Sequence, residues 1–328
     1  MSSEQPITVL LPVYNIEQYI LPAMRSILSQ THKNFELLII DDGSTDRTAE
    51  KIFSIEDPRI RYLKTPHGGL GNALNYGLRN AANDIVARMD GDDIALPMRL
   101  EIQLTVFNTL PENTILSCSY AMFTGNKIWG IVNSPSGHDE IVRRLPLHNE
   151  LVHTGVMYNR NFILKQGGYW ENIFEDYELW LRLKNIAHFQ IVPEVLVMVH
   201  YRNDSLSRTD IVKQYQRIYE LAGAYFGDDS ALRAFGLNPE EILGTRAWRE
   251  YFFGNKSRAR EYWLQPGFKL SKHPRSFLGF LMTFLPGPAF IAFKENRLRF
   301  RVANWLSVLS HEKRELRKVL MKCLGSVV

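Results

Sequence analysis

Cysteine is almost absent from this 328-residue chain: Cys118 and Cys323 lie far apart and form no C-x-x-C pair. A disulfide framework and a cysteine zinc site are thereby excluded, and a reducing compartment is the expected setting. The opening MSSEQPITVLLPVYN has no basic stretch ahead of its short apolar run, so no secretory signal is expected and the chain is placed in the cytoplasm. The sequence also lacks a P-loop, a G-x-S-x-G elbow and a tight histidine pair, which removes P-loop NTPase, serine hydrolase and histidine-metal readings. What is present, 45% hydrophobic and 23% charged residues, fits a soluble globular protein of one or two domains with a full-sized core. The net charge of +4 is unevenly spread. Residues 256–328 hold 15 Lys and Arg against 4 Asp and Glu, a surplus of +11 that leaves −7 for residues 1–255. An acidic body with a basic tail is a statement about partners.

The first ninety residues alternate strand and helix patterns. ITVLLP and FELLIID are short, nearly continuous apolar runs, as expected of parallel strands covered on both faces. Ile20, Met24, Ile27 and Leu28 recur at helical spacing between them, with Pro22 implying a late start or a kink. Asp46 or Thr45 can cap a second helix through about Ser54, RIRYLK is a third strand, GLGNALNYGLRNAA a third helix and DIVARMD a fourth strand. This order predicts a doubly wound, mostly parallel sheet that binds ligands at the carboxyl ends of its strands. Residues 97–201 mix helix and strand signals and form the other side of that crevice. Beyond about Thr209 aromatic, basic, helical patterns take over, giving expected domains of 1–209 and 210–328.

The strand ends carry the chemistry. Asp90, Gly91, Asp92 and Asp93 follow the fourth strand, and two carboxylates one residue apart can grip a hard divalent cation, Mg²⁺ or Mn²⁺, that neutralises a diphosphate. The plain alternative is a turn with Asp as cap and glycine at positive φ. DDGSTD (Asp41 to Asp46) reads either as a strand-to-helix turn or as a carboxylate pair that accepts hydrogen bonds from a base or ribose. HGGLGNAL fails as a dinucleotide fingerprint, because Leu74 stands where the third glycine belongs; Gly68, Gly69 and Gly71 instead open a helix and expose backbone N–H groups to an anion. FEDYELWLRL places Glu175, Asp176 and Glu178 in a first helical turn, where the macrodipole alone favours them.

Taken in order, TVLLPVYN, SILSQTHKNFELLIIDDGSTD, ALNYGL, DIVARMDGDDIALPMRLEIQ, HTGVMYNRNFILKQGGYW and EDYELWLRL resemble the family 2 glycosyltransferases over residues 6–208. The resemblance implies a Rossmann-like A-type glycosyltransferase fold, a divalent cation, a nucleoside-diphosphate sugar donor, commonly UDP, and inverting transfer to a glycan or lipid-linked glycan hydroxyl. It places Pro12 and Tyr14 beside the nucleotide base, Asp42 as the base acceptor with Asp41 adjacent, and Arg88 near the diphosphate. It makes Asp90 and Asp92 the metal carboxylates with Asp93 beside them, Asp176 the catalytic base, and Glu175, Trp180 and His153 the acceptor side. Where many relatives carry a metal-site histidine this chain has Arg202, with His200 two residues earlier. A non-catalytic sugar-binding scaffold and a nucleotidyltransferase are the alternatives; the intact acidic set opposes the first and the absence of a basic glycine-rich opening loop the second.

The tail has an uncharged stretch from Phe277 to Phe293, seventeen residues interrupted by Pro286-Gly287-Pro288. That is short of the roughly 20 residues of a membrane span. It either packs on the catalytic domain or dips into one leaflet, and a following stripe of Val302, Leu309, Leu316 and Cys323 beside Arg314, Arg317, Lys318 and Lys322 suits an anionic membrane surface. Peripheral attachment to the inner face of the cytoplasmic membrane is the expectation, and no nucleic-acid motif accompanies the charge.

Overall fold

The protein is described from a computed structural model. It covers residues 5–145, 149–171, 174–202 and 238–284 apart from 254, together with 221, 224, 225, 320, 321 and 325. The chain divides into two compact units, one of residues 1–138, 151–202 and 302–328, the other of 139–150 and 203–301. The expected boundary near Asp210, the apolar stretch past Phe284 and the stripes at 302–323 lie outside the described residues, save Leu320 and Met321.

The first unit is an α/β layer structure with a nine-stranded, mostly parallel sheet, the A-type glycosyltransferase architecture expected from the sequence. Strands β1 (Ile7–Val13), β2 (Phe35–Asp41), β3 (Ile60–Lys64) and β4 (Ile85–Arg88) run parallel in the order β3-β2-β1-β4. β1 and β2 are buried on both faces because helices cover both. Ile7, Val9, Leu11 and Val13 share a core with Ile20, Ala23, Met24 and Ile27 of α1 (Ile20–Leu28). The opposite face meets α3 (Leu70–Asn80) so closely that a Cβ on Gly77 would collide with the Leu10 side chain. Pro22 falls in the first turn of α1, where a proline costs no hydrogen bond.

β4 hands over to an antiparallel partner, β8 (Met157–Asn159), which leads to β6 (Thr114–Thr124), β9 (His188–His200) and β5 (Ile94–Ala95), and β7 (Lys127–Val132) pairs with β6; helices α4 (Arg99–Phe107), α5 (His138–Arg144) and α6 (Arg160–Lys165) fall between these strands in sequence. β6 and β9 form the longest parallel pair, and its register breaks where Cys118 faces Val192 but Ser119 faces Val195. The skipped residues are Pro193 and Glu194, a bulge at a proline that has no N–H for the ladder. Leu320 is buried in a second cluster with Ile94, Phe123 and Met198. Buried Cys118 is a free thiol, its pKa pushed up to about 11 by burial.

The second unit is helical where described. Helices α8 (Pro239–Phe253), α9 (Lys256–Trp263) and α10 (Pro274–Met282) enclose Ala247, Tyr251, Ala259, Trp263 and Phe268. Asn255 caps α9 by accepting from the Ser257 and Arg258 amides.

Candidate active site

The β1–β4 pairing stops at Leu10↔Arg88, while β1 stays paired with β2 through Val13↔Asp41. Pro12, which offers no N–H, sits where β1 and β4 part, at the point of reversed strand order where a doubly wound sheet opens a crevice. The loops after β1 and β2 then lock each other. Asn15, at φ 48°, accepts from the Thr45 amide at 2.8 Å, and its own amide donates to the Ser44 hydroxyl at 3.0 Å. Asp46 accepts from the amides of Glu17 and Thr48, and Glu17 accepts from the amide of Arg47. Arg47 rather than Asp46 or Thr45 is therefore the N-cap of α2 (Thr48–Phe53), while Asp46 satisfies a first-turn amide from one residue further out.

Asp41 and Asp42 close this corner. Buried Asp41 accepts from the Ser44 amide at 2.7 Å and from the Tyr62 hydroxyl, whose pKa burial and then this carboxylate push up. Asp42 accepts from the amides of Gly68 and Gly69 at 2.8 and 2.9 Å. The anion held by that glycine turn is thus the protein's own carboxylate, and Asp42 retains further lone pairs for a ligand. Gly43, at φ 78°, is required here, since a Cβ would come within 2.8 Å of the His67 amide. Tyr14, 43% exposed, stacks on His67 with ring centroids 4.1 Å apart, whereas Pro12 is buried in the strand. Nothing in the sequence around His67 marks it, and only the fold places it against Tyr14.

The tip of β4 is different in kind. Arg88 is 1% exposed and donates to Asp90 at 2.6 Å. Burial works against its charge, but Asp90 and then Glu175 outweigh burial and raise its pKa. Its Nε is buried without a hydrogen-bond partner among the described residues. Arg99, fully buried beside it, donates to the Arg88 carbonyl at 2.7 Å and is pulled down to about 10 by burial. Burial and then Asp90 push Asp92 up to about 6, opposed by Arg202, whose Nε lies 3.4 Å from Asp92. Asp93 is buried, accepts from the His200 amide at 2.7 Å, and is raised by burial and then by Asp92. The His200 ring stacks on Phe123 and meets Tyr19 edge-on, while the Arg202 guanidinium lies 4.6 Å over the Tyr19 ring.

A third group faces this cluster from α7 (Glu175–Leu183) and the turn at His153. His153, Glu175 and Asp176 bring ligand atoms within 4.8 Å of one another. His153 is buried, its Nε2 is hydrogen-bonded to the Tyr169 hydroxyl at 3.1 Å, and its pKa is pushed down to about 3 by burial and then by Arg88. Burial pushes Glu175 up to about 7 and also raises Asp176. Trp180 is fully buried and backs His153 edge-on, so it supports the site from behind. Glu178 is spent on Arg182, which also donates to Gly168 and Gln166 and so anchors the G-G-Y-W turn. Asn75 of α3 clamps that turn again through both backbone groups of Tyr169. The clamps through Asn75 and Arg182 were not visible in the sequence, where their partners are 94 and 14 residues away.

Among the described residues the ligand atoms gathered closely enough to hold a cation are those of His153, Glu175 and Asp176; Asp90 and Asp92 lie at the tip of β4, each beside an arginine. Asp90 and Asp92 offer only carboxylate oxygens, the donor chemistry a hard divalent ion takes, and burial with a neighbouring carboxylate has raised the proton affinity of Asp92, which a cation would relieve.

Residues 8–168 match the Glycosyl transferase family 2 profile. The O-antigen biosynthesis glycosyltransferase WbnJ of Escherichia coli is 32% identical over 183 residues, covering 55% of this chain and 72% of WbnJ. The amylovoran biosynthesis glycosyltransferase AmsE of Erwinia amylovora is 26% identical over 224 residues, 65% of this chain and 84% of AmsE. In three dimensions the chain is similar to S. aureus TarS 1-349 in complex with UDP-GlcNAc, with a TM-score of 0.57, 18% identity, and coverage of 98% of this chain and 90% of that one. With carboxylates at the strand ends of a mostly parallel sheet, a matching profile over residues 8–168 and a relative 32% identical over 72% of its length, the chain belongs to glycosyltransferase family 2.

Proposed function

We propose that this glycosyltransferase moves a sugar from a nucleoside-diphosphate sugar, UDP-linked as in the TarS complex, to a hydroxyl of a bacterial cell-surface glycan or its lipid-linked precursor, with inversion. Tyr14 stacks on the base, supported from behind by His67, and Asp42 accepts from the base edge with Asp41 holding the corner. Asp90 and Asp92 would hold a divalent cation, Mn²⁺ or Mg²⁺, which supplies charge neutralisation for the diphosphate. Arg88 orients Asp90, and Arg202 adds a second positive group at Asp92.

The Asp176 carboxylate takes the proton of the acceptor hydroxyl as that oxygen bonds to the anomeric carbon. The bond from that carbon to the diphosphate oxygen breaks on the opposite face, and its electron pair leaves with the nucleoside diphosphate. One displacement inverts the centre. Low polarity around Glu175, Asp176 and His153 raises the proton affinity of the base toward that of its task.

The observation that carries this reading is the buried Arg88. It binds Asp90 directly and acts electrostatically on Glu175 and Asp176, so a single guanidinium joins the donor-side carboxylates to the helix terminus bearing the base. The test is a thermal-shift series with nucleotide-sugars, with Mn²⁺ or with chelator, followed by the anomeric configuration of the product. A donor at about a hundred times its Kd should add about 2.7 kcal/mol, and only with the cation present. Equal stabilisation in chelator, or a retained anomeric configuration, contradicts the reading.

A further inference from the structure

Helix α10 of the second unit has two unlike faces. Ser276 and Gly279 are buried, and a Cβ on Gly279 would lie 2.8 Å from Trp248. Phe280 and Met282 pack on the same aromatic core. On the other side Phe277, Leu278 and Leu281 are 48%, 48% and 47% exposed, and Phe284, just past the helix, is 64% exposed. Phe277, Leu281 and Phe284 follow the i, i+4, i+7 spacing of one helical stripe. The stripe is held firmly. Phe284 packs edge-on against Phe280, Arg260 lies 4.7 Å over its ring, and Arg260 donates to the Thr283 carbonyl at 3.2 Å.

The surroundings are basic. Residues 255–284 contain six Lys and Arg against one Glu. Arg258 is paired with Glu250, and Glu240 accepts from His273 and from the Lys269 amide, but the Lys269, Lys272 and Arg275 side chains stand exposed around the start of α10. Apolar anchors rimmed by positive charge match one kind of surface, apolar beneath and anionic at its boundary. Among the described residues no helix is long and apolar enough to cross a membrane, so the contact implied is a helix lying in the interface.

We propose that this face docks on an anionic lipid surface, with Phe277, Leu281 and Phe284 entering the headgroup boundary while Lys269, Lys272 and Arg275 meet lipid phosphates. The charge rim favours lipid over a second copy of the chain, whose matching face would bring the same positive charges together. The proposal does not depend on the donor, the base or the cation, so it stands or falls apart from the proposed reaction.

The experiment is co-sedimentation of the full chain with phosphatidylglycerol–phosphatidylcholine vesicles and with pure phosphatidylcholine vesicles. Binding is expected only to the anionic vesicles. Phe277→Glu and Leu281→Glu, at exposed positions, should each lower partitioning about tenfold, the scale for keeping one large apolar side chain in water. Lys272→Glu with Arg275→Glu should weaken binding strongly at low salt and little at high salt. Should either apolar variant melt early, Leu281→Trp serves in its place, with quenching by brominated acyl chains as the signal. Indifference of the wild-type chain to anionic vesicles overturns the proposal. So does wild-type binding by the folded Phe277 and Leu281 variants, or a dimer that these variants dissociate without any change in vesicle binding.

Discussion

Asp41 and Asp42 at the end of β2 and Asp90, Asp92 and Asp93 after β4 look alike in sequence, yet the fold treats them differently. The β2 pair is met by hydrogen-bond donors from the chain itself: the Ser44, Gly68 and Gly69 amides and the Tyr62 hydroxyl. In the β4 set only Asp93 is fully buried, but the carboxylates crowd one another, so desolvation and mutual repulsion keep the proton affinity of Asp92 and Asp93 raised, for Asp92 despite Arg202 and Arg88 nearby. Neutralisation by backbone fixes a shape. Incomplete neutralisation is what the proposed cation would relieve.

Breaking the second set should have the largest effect. Asp92→Asn is expected to cut transfer about a thousandfold and to remove the divalent dependence of donor binding, measured by turnover and by donor titration with and without Mn²⁺. Breaking the first set should act on the fold. Asp42→Ala leaves the Gly68 and Gly69 amides without their acceptor and should lower unfolding stability by about 3 kcal/mol in denaturant titrations. Asp42→Asn, which keeps one acceptor oxygen, should lose less.

The contrast sharpens with pH. Glu175 is raised to about 7 from an ordinary 4.5, so between those values the native state holds a proton that the unfolded chain has released. Stability from this group is complete below about pH 4.5, falls as pH rises to 7, and stays reduced above. Glu175→Gln should therefore gain on the order of 2 kcal/mol over wild type at pH 8 and nothing near pH 4, read from denaturant melts at both values. The smallest effect concerns Arg202. Without nucleotide, Arg202→Gln should bind Mn²⁺ about fivefold more tightly, because a positive charge 3.4 Å from Asp92 is gone. Titration followed by the Mn²⁺ resonance signal checks it.

Much of the donor half was legible because its signals are local. Continuous apolar runs point to β1 and β2, the glycine-opened GLGNALNYGLRNAA segment points to α3, and carboxylates at strand ends mark the crevice. What could not be read was set by distant contacts. Nothing near Tyr14 in sequence points to His67, and nothing near Asn75 points to Tyr169. The order β8-β6-β9-β5 rests on pairings between segments far apart in sequence, and β8 and β5, three and two residues long, carry no periodicity of their own. Trp180, at helical spacing beside three leucines, is a buried support because α7 turns that side inward. The spacing of apolar residues alone does not say which side faces substrate.

The most direct test of the reaction assigned to this site is Asp176→Asn, with donor and cation binding measured by calorimetry beside turnover. The account predicts binding within about threefold of wild type and transfer reduced at least about a hundredfold, as expected for loss of a general base. Donor binding that falls in step with turnover would contradict it and place Asp176 on the donor side.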